Sequence, residues 1–214
     1  MRVFSTLYQT QNSSPPLILR YAGYCQENPM LKTAPRLSRV PRSEAAPPVA
    51  EIYDRYMRTR GNVPNMFRTM AHRPEIFETM IAHFEAILNT GTLPVRLKEL
   101  VIVRTSQLNR CEYCLGSHTQ IAMRLGWSRE QLDHLAHYAE RKDFTSAEKA
   151  ALRLAEQMTL DANHIPDEDF ETLREHFDEG EIVELMASIG LFNYFNRFNN
   201  ALQMEPTKPG EGAE

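Results

Sequence analysis

The 214-residue sequence contains only three cysteines, and no apolar run in it approaches the roughly 18 residues that a membrane-spanning helix needs. Three cysteines cannot supply the set of bridges that holds a small disulfide-rich protein together. We therefore predict a protein of a reducing compartment, the cytoplasm, with no membrane partner. In such a compartment, a close pair of cysteines is typical of a catalytic or metal-binding site.

Positive charge is also scarce. The chain has 24 Lys and Arg residues against 28 Asp and Glu residues, a net charge of −4. Residues 1–44 hold six of the basic residues and only two acidic ones, which leaves 18 basic and 26 acidic residues, a net charge of −8, in the rest of the chain. Because binding to nucleic acid depends on a basic surface, this balance argues against a nucleic-acid partner.

Composition divides the chain into three segments. Residues 1–44 are rich in Pro, Ser and Arg and lack a sustained apolar period, so we predict a poorly ordered basic arm. This arm has no apolar stretch like that of a secretory signal, and an alternative is that Met30 is the true start. Residues 45–204 are predicted to form one helical domain, and residues 205–214 a polar tail.

The central segment has the periodicity of successive helices. Apolar residues recur at helical spacing, and Gly and Pro separate the periodic stretches. Ser128 with Gln131, and Thr145 with Glu148, have the spacing of capping boxes that open helices. No pair of strands joined by a hairpin turn is evident. The sequence therefore predicts an all-α fold, a compact single-domain helical bundle.

The stretch "NRCEYCLGSH" (109–118) holds the strongest chemical signal. If a helix begins near Cys111, then Cys111, Cys114 and His118 lie at i, i+3 and i+7, within about 60° on one face. A helix N-terminus favours thiolate, and a histidine one turn later can exchange the thiol proton. An i,i+3 pair inside a regular helix has its β-carbons farther apart than a disulfide prefers, so we expect a bridge there to be strained and easily reduced.

Glu99 lies twelve residues before Cys111, on the preceding predicted helix. Its neighbours Ile102 and Val103 are apolar, so its face is predicted to be buried. Burial raises the pKa of a carboxyl and makes it a plausible proton shuttle. Two alternatives stay open at this point: a zinc site built from the two cysteines, His118 and Glu99, and cysteines that only fill a core.

These residues resemble the core of the AhpD-like alkylhydroperoxidase/carboxymuconolactone decarboxylase superfamily. Its pattern is a Glu, twelve residues to a CxxC pair, then a His four residues after the second Cys, which matches Glu99, Cys111, Cys114 and His118 position by position. The resemblance is sharp over residues 90–126 and looser over residues 47–202, where the sequence is similar to the peroxidase-related branch.

The resemblance implies a compact helical fold and a thiol-dependent peroxidase (an antioxidant with peroxiredoxin-type activity). Cys114 would attack the hydroperoxide, Cys111 would close a Cys111–Cys114 disulfide, and Glu99 and His118 would relay protons. It further implies no cofactor and no metal, reduction by a dithiol such as a lipoyl or thioredoxin-like protein, and a homo-oligomer (dimer, trimer or hexamer). The residues alone favour Cys111 as the more acidic thiol; for the attacking thiol we follow the resemblance.

One position departs from the pattern, because AhpD has a histidine where this chain has Tyr113. This departure weakens the expectation of the same proton relay and of the same lipoyl reductant. Two other functions stay open. One is a carboxymuconolactone decarboxylase-like lactone enzyme that retains the cysteines, although that branch generally lacks the pair. The other is a non-enzymatic redox-sensing oligomer.

Other candidate residues are interpreted conservatively. Cys25 is predicted to be a bystander thiol, and His134 and His137 to lie on a solvated face. Four methionines in apolar stripes are expected in the core: Met57, Met66, Met70 and Met80. The asparagine-rich end of the last helix is predicted to line a pocket mouth or, in the reading we favour, to bridge a subunit contact, and its aromatic residues are candidates for burial in an oligomer: Asn193, Asn196, Arg197, Asn199 and Asn200, with Phe192, Tyr194, Phe195 and Phe198.

Overall fold

A computed structural model describes residues 35–212, and every regular element in that range is a helix, which confirms the all-α class. The α-helices of the described range are α1 Pro47–Arg60, α2 Asn65–Met70, α3 Pro74–Asn89, α4 Val95–Leu108, α5 Glu112–Arg124, α6 Arg129–Asp133, α7 Ser146–Leu160, α8 Asp167–Arg174 and α9 Glu179–Leu202. Two 3-10 helices accompany them, Arg42–Glu44 and Leu135–Glu140. Within the same range, no helix is both long and apolar enough to cross a membrane.

The ends of the helices follow local sequence signals. Proline occupies the first turn of α1, where no amide partner is needed, and Gly61 ends that helix with a φ of 76°. Both predicted capping boxes are confirmed, Ser128 with Gln131 at α6 and Thr145 with Glu148 at α7. A further capping box, which we did not predict, opens α9 at Asp178.

Helix α4 lies at the centre of the fold and packs against α5, α7 and α9. One apolar cluster joins α4 and α5 to α7, α8 and α9 around fully buried Leu100 and Leu152. A second, aromatic cluster joins α1, α2 and α3 to α9 through Phe67, Phe77 and Phe192. Because α4, α5 and α9 adjoin both clusters, side chains that project between these helices are shielded from solvent.

The two ends of the described range pack on the helical body and on each other. The Arg39 guanidinium binds Glu205 at 2.8 Å and Glu211 at 2.7 Å, and the Val40 amide donates to the carbonyl of Arg68 at 2.9 Å. Residues 35–44, at the end of the arm that we predicted to be poorly ordered, therefore make specific contacts, because their arginine meets two carboxylates of the tail. The rest of that arm, including Cys25 and the alternative start at Met30, lies outside the described residues.

Candidate active site

The cysteine pair lies at the start of α5, just after a tight reversal of the chain. Helix α4 ends at Leu108, and Arg110 adopts a left-handed φ of 53°, a conformation that costs a non-glycine residue about 1 kcal/mol. Cys111 follows as the N-cap, with an extended φ of −91° and ψ of 91°, and its amide donates to the Ser106 carbonyl at 2.9 Å. The tight turn between the antiparallel neighbours α4 and α5 thus places the first cysteine at the helix entrance.

This geometry corrects the expected position of Cys111. We predicted that Cys111 would belong to the regular helix, at i,i+3 from Cys114, but α5 begins at Glu112 and Cys111 is its cap. The two residues therefore occupy the N-cap and N3 positions, and the strain argument for a bridge inside a regular helical turn does not apply here. Both residues are buried free thiols, with exposed fractions of 0% for Cys111 and 4% for Cys114.

The two thiols differ in acidity because they share a hydrogen bond. That bond from Cys114 lowers the pKa of Cys111, against the opposing effect of burial, and backbone amides of Cys114 and Tyr113 and the Asn196 side chain lower it further. The same bond, burial and the nearby Cys111 charge raise the pKa of Cys114. The first thiolate of the pair therefore forms at Cys111. The sequence, without the family resemblance, had also favoured Cys111 as the more acidic thiol.

Glu99 and His118 meet beside the pair. Glu99 is 2% exposed, and its Oε2 lies 2.8 Å from Nδ1 of His118. The imidazole also packs edge-to-face on Phe192, with ring centroids 4.6 Å apart. Since the carboxylate holds Nδ1, Nε2 is the ring nitrogen left to exchange a proton with a ligand.

A small cavity opens onto one of the two sulfurs. Its volume is about 40 Å³, and Cys114 and His118 line it, whereas Cys111 does not. Its other walls are mostly apolar or aromatic, and Arg60 is the exposed residue at its edge; these walls comprise Arg60, Pro64, Met66, Phe67, Phe84, Tyr113, Ser117, Phe192, Phe195 and Asn199. A small molecule bound in this cavity would therefore lie beside Cys114 rather than Cys111.

The asparagines of α9 form hydrogen bonds with the turn at Asn109 and with the sulfur of Cys114. The Asn109 amide donates to Oδ1 of Asn193 at 2.8 Å and of Asn196 at 3.1 Å, and the Asn200 amide donates to the Asn109 carbonyl at 2.8 Å. The Asn199 amide donates to Sγ of Cys114 at 3.4 Å. The pocket interpretation of this cluster thus applies to Asn199, while the subunit-contact interpretation that we favoured stays a prediction.

Sequence reasoning missed the roles of two pocket residues. Met66 lies in the aromatic core cluster, as predicted, but it also lines the cavity, and its Sδ accepts from Asn199 at 3.3 Å. Asn199 was one member of a cluster for which we favoured a subunit contact over a pocket mouth, and no member was assigned a contact with Cys114. The available signal was the spacing of Asn193, Asn196 and Asn199, which places all three on one face of α9.

Tyr113 stands where AhpD has a histidine, and its surroundings suit a structural role. Its hydroxyl accepts from the Met66 amide at 3.1 Å and lies 3.2 Å from Oγ1 of Thr207. Burial raises its pKa, with smaller opposing effects from these two hydrogen bonds, so the phenol stays protonated near neutral pH. The side chain therefore ties the cysteine turn to α2 and to the predicted polar tail.

The zinc alternative finds no ligand set in the part of the chain that the structure describes. No three His, Cys, Asp or Glu side chains converge there as a metal ion requires. His134 and His137 are exposed, in line with the solvated face predicted for them.

Comparisons with known proteins identify the family and the fold of this chain. The carboxymuconolactone decarboxylase family model matches residues 74–157. The uncharacterized protein YdfG of Bacillus subtilis (strain 168) is 36% identical over 106 residues, which cover 49% of this chain and 72% of YdfG. The uncharacterized protein YnjA of Escherichia coli (strain K12) is 30% identical over 173 residues, 79% of this chain and 91% of YnjA.

A solved structure from Ralstonia eutropha JMP134, described as an alkylhydroperoxidase AhpD core of an uncharacterized peroxidase-related protein, superposes with a TM-score of 0.75 at 26% identity. The match covers 85% of this chain and 98% of that one. Fold and site together define an all-α protein with a buried dithiol and an adjacent acid–base pair. The chain belongs to the carboxymuconolactone decarboxylase family, in its AhpD-like superfamily, as the motif predicted.

Proposed function

We propose that the protein is a thiol-dependent peroxidase that reduces hydroperoxides through a Cys111–Cys114 dithiol/disulfide cycle. The observation that carries this proposal is the convergence of a cavity-lining cysteine, its buried partner thiol and the Glu99–His118 pair, bonded at 2.8 Å. The AhpD-like fold supports an enzymatic, peroxidase-related role. We assign the activity to the cytoplasm, where reduced cysteines persist.

In the first step, Cys114 attacks because it lines the cavity and Cys111 does not. Its proton passes to His118, and the thiolate then attacks the terminal oxygen of the hydroperoxide. The O–O bond breaks, Cys114 becomes a sulfenic acid, and the leaving alkoxide takes a proton from His118 to give an alcohol. Glu99 holds the imidazole in the orientation for this transfer through its 2.8 Å contact with Nδ1.

In the second step, the Cys111 thiolate attacks the sulfur of the Cys114 sulfenic acid. The S–O bond breaks, a disulfide forms, and the leaving hydroxide takes up the proton that Cys111 lost, relayed by His118, to give water. In the reduced pair the hydrogen bond with Cys114 is the main cause that lowers the pKa of Cys111; once Cys114 is oxidised, the backbone amides of Cys114 and Tyr113 and the Asn196 side chain, which also lower it, remain to favour the resolving thiolate. In total, one hydroperoxide and two thiols give one alcohol, one water and one disulfide.

An external dithiol then restores the pair by thiol–disulfide exchange. Cys111 has an exposed fraction of 0%, so the reductant reaches the bridge through the cavity at Cys114. This access favours a dithiol on a slender arm, such as a lipoyl group, over the broad surface of a thioredoxin-like protein.

The decisive experiment follows the full-length, reduced protein through one equivalent of tert-butyl hydroperoxide by mass spectrometry. We expect a loss of two hydrogens mapped to Cys111 and Cys114, and continued consumption of peroxide when dihydrolipoamide is supplied. Cys111→Ser should accumulate a sulfenic acid at Cys114 that dimedone traps, and Cys114→Ser should be inactive. Cys25→Ser is the control variant and should keep full activity.

Unchanged peroxide consumption by Cys114→Ser would falsify the assignment. Turnover of a lactone that survives alkylation of both thiols favours the decarboxylase-like alternative instead. A single oxidation without repeated turnover, accompanied by a change in oligomeric state, favours the redox-sensing oligomer.

A further inference from the structure

Asn199 is a buried amide in contact with the sulfur that we propose as the nucleophile. It lies on α9, is 1% exposed, and lines the cavity together with Cys114. Its Nδ2 donates to Sγ of Cys114 at 3.4 Å and to Sδ of Met66 at 3.3 Å. This donor lowers the pKa of Cys114, against the larger raising effects of the Cys111 hydrogen bond and burial.

The other half of the same amide is unsatisfied. Oδ1 of Asn199 is buried and has no hydrogen-bond partner within residues 35–212. A buried carbonyl oxygen without a donor destabilises the folded protein, so such atoms in native proteins call for an explanation. Here the oxygen belongs to a residue of the cavity wall, where a bound ligand can supply the donor.

A hydroperoxide carries one suitable donor, its terminal O–H. The terminal oxygen is also the atom that the thiolate attacks, since the other oxygen leaves as alkoxide. An acceptor that binds this O–H therefore brings the correct oxygen to Sγ of Cys114. The hydrogen stays on that oxygen when it is transferred to sulfur, so the same acceptor serves the sulfenic acid product.

We propose that Asn199 is a substrate-binding residue whose Oδ1 accepts the hydroperoxide O–H while its Nδ2 donates to Cys114. One planar amide then orients both reacting partners and selects oxidants that bear a terminal O–H. This inference rests on the proposed peroxidase function and assigns its substrate class, hydroperoxides with a free O–H.

The test compares two oxidants of the same thiol. The rate of Cys114 reaction is measured with tert-butyl hydroperoxide, which has the O–H, and with methyl methanethiosulfonate, which lacks it. Both rates scale with the amount of thiolate, so their ratio cancels changes in thiol pKa. In Asn199→Ala the ratio of the hydroperoxide rate to the thiosulfonate rate should fall about tenfold, the worth of one buried hydrogen bond.

Three further variants make the result specific. Asn199→Leu preserves the volume if the alanine variant fails to fold, and should show the same fall. Asn199→Asp keeps an acceptor and should hold the ratio near wild type although its charge slows both reactions. Asn65→Ala is the matched control, because Asn65 has another buried, unpartnered Oδ1 but does not line the cavity, and its ratio should not change.

An unchanged ratio in both Asn199→Ala and Asn199→Leu overturns the inference and leaves the amide a role on the sulfur alone. Failure of the underlying function looks different: the wild-type thiol would then react with the thiosulfonate and not with the hydroperoxide.

Discussion

Two adjacent residues of α4, Lys98 and Glu99, are buried and each forms an acid–base pair, and the two pairs are built differently. The Lys98 ammonium uses all of its protons, on the carbonyls of Ile87 at 2.7 Å and Thr90 at 2.9 Å and on Oε2 of Glu184 at 2.6 Å. Glu184 in turn accepts the Thr92 and Leu93 amides, at 2.9 and 3.3 Å. Every polar group that this pair contributes is satisfied.

The Glu99–His118 pair is equally shielded but incomplete. The side chains are 3% and 12% exposed, and their mutual bond is the only hydrogen bond that either forms with the described residues. In the Lys98–Glu184 pair every donor and acceptor is occupied, so this saturated pair stabilises the fold and cannot bind a ligand. In the Glu99–His118 pair, hydrogen-bonding positions beside the cavity stay open, so this pair can exchange protons with a ligand. The comparison predicts that stability and chemistry can be disrupted separately at neighbouring positions.

The largest expected effect is a loss of folding stability in the variant Lys98→Met. Removing the buried ammonium leaves two carbonyls and the partly exposed Glu184 carboxylate without their cation, which should lower the free energy of unfolding by about 3 kcal/mol, the low end for breaking a buried pair. Urea denaturation followed by circular dichroism measures this loss. The rate of thiol oxidation per folded molecule should stay within about twofold of wild type, because Lys98 contacts neither the cysteines nor the cavity.

Glu99→Gln is the matched control for that variant. The glutamine can keep the contact with His118, so we expect less than about 1 kcal/mol of lost stability. If Glu99→Gln destabilised the protein as much as Lys98→Met, the Glu99–His118 pair would belong to the scaffold, and the contrast between the pairs would disappear.

The second-largest expected effect is on the rate of hydroperoxide reduction, and it comes from His118→Gln. Loss of the proton donor for the alkoxide should slow hydroperoxide reduction about a hundredfold, at the low end of general acid–base effects. Stopped-flow measurement of Cys114 oxidation tests this, with denaturation as the control for folding. A rate within a factor of three of wild type would show that the proton comes from elsewhere.

Much of the fold was predictable because the relevant signals are local. The capping boxes at Ser128 and Thr145 and the glycine that ends α1 act over a few residues, and they set helix ends where the sequence placed them. The helix start predicted near Cys111 lies one residue later, at Glu112, and this single residue makes Cys111 the cap of α5 instead of a member of the regular helix. The left-handed conformation at Arg110 decides that boundary, and arginine carries no sequence signal for it.

The candidate site was only half predictable, for a physical reason. Glu99, Cys111, Cys114 and His118 lie on two consecutive helices, so their spacing indicates which of them can meet. Asn199 reaches Cys114 across 85 residues of sequence, and Met66 reaches Asn199 across 133. Such contacts depend on how α2 and α9 pack, and periodicity within one helix does not predict the partner of its polar residues.

The smallest expected effect is a pH dependence of the saturated pair. Burial raises the pKa of Glu184, but the Lys98 ammonium and the amides of Thr92 and Leu93 outweigh it and hold that pKa below its ordinary value of 4.5. A carboxyl with a depressed folded-state pKa stabilises the protein fully above its unfolded-state pKa, and this contribution is lost as the pH falls through the folded-state value. Wild type should therefore exceed Glu184→Gln in stability at pH 7 by roughly 1 kcal/mol, a value typical of a partly exposed ion pair.

Urea titrations of both proteins at several pH values between 7 and 3 measure this difference. The difference in free energy of unfolding between wild type and Glu184→Gln should stay constant down to about pH 5 and then decrease as Glu184 takes up a proton. Glu181→Gln, one helical turn away and half-buried, is the comparison variant for general acid effects. A gap that widened toward acid would mean that Glu184 is protonated more readily in the folded protein than in the unfolded chain, and would remove the electrostatic basis of the contrast with Glu99.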